Sequence, residues 1–355
     1  MNKIDVSIIF ATYNRSDYLR RTLEAMCELD REVLNVEFVI VDNNSTDDTR
    51  QVIDLFAQRL PLQHLFESRP GKNCALNHSL DTVELGEIVV FTDDDVVPRR
   101  DWLRQIVSAC ERWPEYDVFG GRIDVIWPAG VVIPKWASEI ANIRAIGFAE
   151  DSRHKEAEPY MSGKHPAGPN FWVRRKAFNG GVRYDESIGP RPGQRWGMGS
   201  EAELLLRLAA GGRCALHVPD AVVGHHVQAS LLDPRNMLKR FIRLGRGEPH
   251  LHSVPDPEQL MQHPWRWRMR RMVAMIWHLI RFCCTRLCRD ECIRMDEATR
   301  ALRLFAYHRE ALSMSWYKTK ARTLKDKDPA STDDCVTVED IGQSHAKVQV
   351  SEDHE

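Results

Sequence analysis

The chain has 355 residues, 43% apolar and 28% charged, enough for one large core with an appendage or for two modest domains. A net charge of −2 gives no global field to attract nucleic acid, although basic residues crowd together after Pro264. Nine scattered cysteines do not make a small-domain disulfide framework and read as reduced thiols of a cytosolic protein.

The chain opens on a strand-like segment, Val6 to Ala11, with no basic and apolar leader pattern before it. No apolar run approaches the ~20 residues needed to span a bilayer. The best, Met272 to Cys284, contains His278 and Arg281. A helix follows the first strand, with Leu19, Leu23, Met26 and Cys27 on one face and Asn14 or Ser16 as its cap. A second strand covers Glu37 to Val41. Ser45-Thr46-Asp47-Asp48 then resembles a capping box ahead of a helix carrying Val52, Ile53, Phe56 and Leu60. A third strand is expected at Leu62 to Phe66, then a Pro-Gly loop and a helix around Cys74 to Leu80. A fourth strand, Glu87 to Thr92, ends in three aspartates, and a helix runs from about Asp101 to Arg112.

This rhythm predicts an α/β fold, a Rossmann-like and mostly parallel sheet flanked by helices. Ligands of such sheets sit at the carboxyl ends of the strands. Residues 12–14, 42–44, 69–72 and 93–95 should therefore line one crevice. Residues 127–226 are less regular and richer in Gly, Pro and Trp, which suits a substrate-shaping half. The domain reading is 1–230, divided at about 100 into a nucleotide-binding and an acceptor-side half. A helical extension over 231–324 and a disordered tail over 325–355 complete it.

Asp93-Asp94-Asp95 carries the sharpest chemistry. Three carboxylates at a strand end repel one another unless a cation or solvent compensates. Alternate strand residues share a side, so Asp93 and Asp95 can converge on one hard cation, Mg²⁺ or Mn²⁺, whose co-ligands include diphosphate oxygens. The alternative is a solvated turn.

Four segments precede or contain that triplet: Val6 to Arg15, Val39 to Thr49, Arg69 to Asn77 and Val89 to Asp95. In this order they resemble the nucleotide-sugar half of family 2 glycosyltransferases with the GT-A fold. The resemblance is clear over roughly the first 125 residues and thins to scattered motifs by Gly247. It implies inverting sugar transfer from a nucleoside-diphosphate sugar to a saccharide or lipid-linked hydroxyl, with a divalent metal. By the same resemblance Thr12, Tyr13 and Asp42 should hold the nucleotide base, and Asn14 and Asn44 belong with them to the nucleotide-sugar site. Asp42 offers an acceptor to a ring N–H and Tyr13 a face. Gly71 would let backbone approach the diphosphate, Arg69 and Lys72 add positive charge, and Asp93 and Asp94 also face the donor. Turn and cap chemistry is the alternative for Thr12 and Asn14. The family usually has Arg where Leu76 stands, which leaves the charge of that loop open.

Gly197 to Leu208 resembles the family segment that carries the catalytic base. Aligned on Glu203-Leu204, Glu201 takes the place of the base and Ser200 that of a usual Glu. Glu203 is the runner-up, and a dipole-complementing helix start is the alternative. Asn170 and Trp196 fall on the acceptor side, as sugar contacts or as turn and packing residues. His225, with His226 next, resembles a strand-end histidine that ligates the metal, although a lone histidine is more often structural. Cys284, Cys288 and Cys292 lack a facing pair for zinc and read as a packed helix face. Trp265, Trp267, Trp277 and Phe282 interleave with Arg266, Arg268, Arg270, Arg271 and Arg281. This suits either a helix packed with snorkelling arginines, the favoured reading, or a peripheral contact at the inner face of a membrane from the cytoplasm. Nucleotidyl transfer and nicotinamide chemistry are disfavoured by the glycine-free loop after the first strand. A non-catalytic sugar-binding protein is disfavoured by the candidate base.

Overall fold

In a computed structural model, residues 4–31, 33–152, 155–161, 163–251, 264–285 and 288–313 are described, without the side chains of 264–268. The expected tail over 325–355 and the side chains of Trp265, Arg266, Trp267 and Arg268 thus lie outside the described residues.

The first hundred residues follow their hydrophobic periodicity closely. Strand β1 (Val6–Thr12) precedes helix α1 (Ser16–Cys27), β2 (Val36–Asp42), α2 (Thr49–Phe56), β3 (Leu62–Phe66), α3 (Lys72–Thr82) and β4 (Ile88–Thr92). Leu19, Leu23 and Met26 of α1 pack with Val52, Ile53 and Phe56 of α2 on one face of the sheet. Ala75, Leu76 and Leu80 of α3 cover the other, which accounts for the buried leucine where the family carries Arg. The strands are buried on both faces, as parallel strands under two helical layers must be.

Both expected caps are replaced by one long-range device. Asp47 Oδ2 accepts the Ser16 N–H at 3.0 Å, and Asp47 Oδ1 accepts from Thr49 N–H and Oγ1 at 3.1 and 2.6 Å. One carboxylate thus serves the starts of α1 and α2, and neither Asn14, Ser16 nor a capping box does so.

The following residues add β5 (Val96–Pro98), α4 (Trp102–Arg112), β6 (Val118–Ile126), α5 (Lys135–Glu139), β7 (Glu158–Pro159), β8 (Asn170–Arg174), α6 (Ser200–Ala210) and β9 (Ala215–His226). The nine-stranded sheet runs β3-β2-β1-β4-β8-β6-β9-β5, with β7 also on β9. β3, β2, β1 and β4 are mutually parallel, whereas β8 enters antiparallel to β4. Strand order reverses beside β1, and the crevice opens at the carboxyl ends there.

Helix α7 (Pro234–Leu251) buries Met237 and Phe241 against Trp136, Phe148 and Val227. Its backbone reaches the loop before α6, where a Cβ on Gly247 would lie 1.5 Å from the Met198 carbonyl oxygen. Only glycine permits that approach. Helices α8 (Pro264–Thr285) and α9 (Glu291–Ser313) follow. No helix among the described residues is long and apolar enough to cross a membrane.

Candidate active site

The register that ends β1 and β2 together, Thr12 beside Asp42, brings their loops to the mouth of β4 and its three aspartates. Alternation then separates the triplet. Asp94 turns inward, where Thr12 Oγ1 donates to Oδ2 at 2.8 Å and Arg15 Nη1 pairs with Oδ1 at 2.8 Å. Asp93 and Asp95 share the other side with His225, and one ligand atom from each lies within 4.8 Å of the others. Antiparallel pairing of β5 with β9 sets His225 opposite Val96, next to Asp95. His226 points away, edge-on to Tyr18.

The repulsion within the triplet is offset by the protein's own cations. Arg15 Nη2 reaches Asp95 Oδ2 at 2.5 Å, and Lys72 Nζ reaches Asp93 Oδ1 at 2.6 Å. One junction stays uncompensated. His225 Nδ1 lies 2.8 Å from the Phe148 carbonyl oxygen, which only accepts, so Nδ1 carries the hydrogen. The neutral ring then turns an Nε2 lone pair toward Asp95 Oδ1, 3.3 Å away, a buried oxygen with no hydrogen-bond donor. Two acceptors facing each other need a proton or a metal ion between them. Burial, the largest single influence, disfavours an imidazolium, but the Asp95 charge and hydrogen bond, the Asp93 charge and the Phe148 carbonyl together outweigh it and raise the His225 pKa. A backbone carbonyl that orients a ring nitrogen toward two carboxylates is a donor set that fits Mn²⁺ or Mg²⁺.

Glu201 is the second residue of α6 and points into the same crevice. Lys72 Nζ bridges it to the acidic motif, 2.6 Å from Glu201 Oε1 as from Asp93 Oδ1. Burial alone would raise the Glu201 pKa; the Lys72 charge and hydrogen bond outweigh burial and hold it below the usual carboxylate value. Glu203, the runner-up, is committed to Arg207 of its own helix at 2.8 Å.

Several expected donor contacts are spent inside the protein. The Thr12 hydroxyl and Asp94 satisfy each other. Asn14, at a φ of 50°, ties two loops together, its Oδ1 accepting the Thr46 N–H at 2.7 Å. Gly71, at a φ of 140°, donates its N–H to Asn43 Oδ1 at 2.8 Å and so has none for a diphosphate. Arg69 is held by Glu67 and Glu186. Asp42 is buried with one oxygen accepting the Ser45 N–H, while Tyr13 and Asn44 stay exposed at the rim. Trp196 has one ring face under the Arg243 guanidinium, 4.6 Å away, which leaves the other for any sugar.

Asn170 is corrected outright. It is fully buried, accepts from Trp102 Nε1 at 3.0 Å and donates to the carbonyls of Arg122 and Ala221 at 2.9 and 2.8 Å. With both amide hydrogens and its oxygen engaged, it knits α4, β6 and β9 together and contacts no acceptor. Asn170→Ala should cost roughly 3 kcal/mol or more, because three buried polar groups lose their partner. Urea denaturation reads that loss, and nucleotide affinity of the folded variant should be unchanged.

Basic residues outside the expected set line the crevice. In the sequence Arg15 is only part of a motif. Arg240 of α7 lies within electrostatic reach of Asp95, Asp93 and Glu201, and burial lowers its pKa despite those charges. The Arg191 side chain packs over Gly71. Their signal was invisible locally because 191 and 240 come from outside the nucleotide half.

Residues 7–180 match the model of Glycosyl transferase family 2. An uncharacterized glycosyltransferase of Nostoc is 28% identical over 146 residues, 39% of this chain and 44% of that protein, so the chain spans under half of that relative's length. Glycosyltransferase AglE of Haloferax volcanii is 24% identical over 281 residues, 78% of this chain and 81% of that protein. A mannosyltransferase of Pyrobaculum calidifontis, solved with GDP-Man and Mn²⁺, superposes with a TM-score of 0.56 at 20% identity, covering 90% of this chain and 89% of that one. The matching family model, the related sequences and the shared fold agree: residues 7–180 form a glycosyl transferase family 2 domain.

Proposed function

We propose that the protein transfers a sugar, with inversion, from a nucleoside-diphosphate sugar to a hydroxyl of a saccharide or lipid-linked acceptor in polysaccharide or glycolipid assembly. The observation that carries this reading is the Lys72 bridge, which sets the candidate base Glu201 and the acidic motif in one crevice. Tyr13, Asp42 and Asn44 line its nucleotide end. Arg240 and Arg191 supply the positive charge that Leu76 does not. Glu201 takes the proton of the acceptor hydroxyl as that oxygen bonds to the anomeric carbon. The bond from that carbon to the diphosphate breaks on the opposite face. Asp93, Asp95 and His225 would hold a divalent cation, Mn²⁺ or Mg²⁺, which when bound neutralises charge on the diphosphate.

Thermal shift against a panel of UDP- and GDP-sugars, with and without Mn²⁺, tests the donor assignment, since a ligand of the native state raises its stability. Metal-dependent stabilisation followed by donor turnover with an acceptor supports transfer. Cleavage that instead joins a nucleotide to a sugar phosphate would replace it with nucleotidyl transfer.

Lys72 has a separable role in this scheme. Lys72→Met leaves Glu201 buried without its counter-charge, so its carboxyl pKa should rise. The ionised base is lost as pH falls through that pKa, so the acid limb of the rate profile should move to higher pH. Transfer at neutral pH should fall roughly 10–100-fold, as for other groups that hydrogen-bond a ligating carboxylate. A profile with an unmoved acid limb would separate Lys72 from the base.

A further inference from the structure

Helix α8 (Pro264–Thr285) has its polarity reversed. Its protein-facing side is polar. Arg271 lies 3.9 Å over the Tyr307 ring and pairs with Glu248, and His278 Nδ1 meets Glu297 Oε2 at 2.7 Å. Glu248 and Glu297 are both buried beneath the helix. Its outward side carries Met269, Met272, Val273, Ile276, Trp277 and Ile280, each 39–60% exposed. At about 100° per residue these fall on one continuous arc, and Cys283 and Cys284 extend it. Helix α8 thus packs on α9 through its polar side, with Arg271 turned in and the apolar side turned out, and Cys284, Cys288 and Cys292 do not share one packed helix face. Scattered exposed apolar residues need no explanation, but a continuous arc does.

We infer that this arc lies on an anionic lipid surface, its apolar side chains in the boundary between headgroups and acyl chains. Charge selects that occupant. Residues 264–285 hold Arg266, Arg268, Arg270, Arg271 and Arg281 and no acidic residue. Arg270 is exposed at the rim of the arc, beside Trp277, whereas Arg281 reaches inward to pair with Glu297 at 2.9 Å. Basic rims with an aromatic beside an apolar face suit anionic headgroups. A second copy meeting the arc about a two-fold axis would set like charges rim to rim. Because no described helix can cross a bilayer, α8 lies along the surface.

The full chain is sedimented with phosphatidylcholine vesicles and with vesicles that also contain phosphatidylglycerol, at low and high salt. It should pellet with the anionic vesicles only, and less at high salt. Ile276→Asp together with Ile280→Asp should abolish pelleting. Arg270→Gln should weaken partitioning about fivefold, the worth of one basic residue at such a surface. These positions are exposed, so circular dichroism and donor-dependent thermal shift should be unaltered. Equal, negligible pelleting with both vesicle types overturns the inference, as does pelleting that ignores all these substitutions. A dimer dissociated by Ile276→Asp, without vesicle binding, would assign the arc to self-association instead.

Discussion

Replacing Glu201 with Gln should lower sugar transfer by roughly 10²–10⁴-fold, the usual worth of a general base. The amide keeps the size of the side chain and can still accept from Lys72, so the crevice should hold its shape. It cannot take the acceptor's proton at neutral pH. Donor affinity should persist, because the nucleotide end proposed above lies on the β1 and β2 loops, away from Glu201. The control follows from the geometry of α6. Glu203 is buried and paired with Arg207, which also donates to the Arg183 carbonyl. Glu203→Gln should therefore cost stability, read as a lower Tm, and spare turnover of the folded fraction. If Glu203→Gln abolishes transfer while Glu201→Gln retains it, the base is Glu203. If both variants turn over normally, α6 begins on dipole-complementing acids alone.

Asp95→Asn should remove the metal dependence of nucleotide binding. In Mn²⁺ the affinity for UDP or GDP should fall by about 100-fold or more, exceeding the ~10–100-fold worth of groups that only support a ligand. Without metal, affinity should match that of the unaltered protein. The conservative amide is the right change. Truncation to Ala would strip the buried partner of Arg15 and His225, and breaking a buried pair costs ~3–5 kcal/mol by itself. Asp94→Asn is the discriminating control. Asp94 faces Thr12 and Arg15 on the opposite side, so its amide should preserve the Mn²⁺ effect. His225→Ala should lose most of it. Calorimetric titration with and without Mn²⁺ reads all three, and an undiminished Mn²⁺ effect in both Asp95→Asn and His225→Ala would remove the metal from this site.

The nucleotide half was legible in the sequence because its signals are local. Strand ends fell within a residue of expectation for β1 to β4. Val52, Ile53 and Phe56 face the core at the spacing their helix requires, and Leu60, expected in the same helix, is buried beyond its end. The rule that ligands gather at carboxyl strand ends then puts Asp42 and Asp93 to Asp95 at one crevice. Alternation along the strand end predicted that Asp93 and Asp95 would share a side.

What the sequence left undecided is whatever depends on a partner far along the chain. Asn170 looks like a loop residue open to substrate until α4, β6 and β9 close over it. Asp47 looks like part of its own helix cap until the β1 loop brings Ser16 to it. Lys72 and Glu201 stand 129 positions apart, and only the joining of the two halves makes them one ion-paired unit with Asp93. The arginines of α8 looked outward-facing by composition, but buried Glu248 and Glu297 draw Arg271 and His278 inward and turn the apolar arc out. Periodicity records which residues of one element share a face. It carries no information about which charge will be buried opposite that face, and the cost of burying an unpaired charge decides the rest.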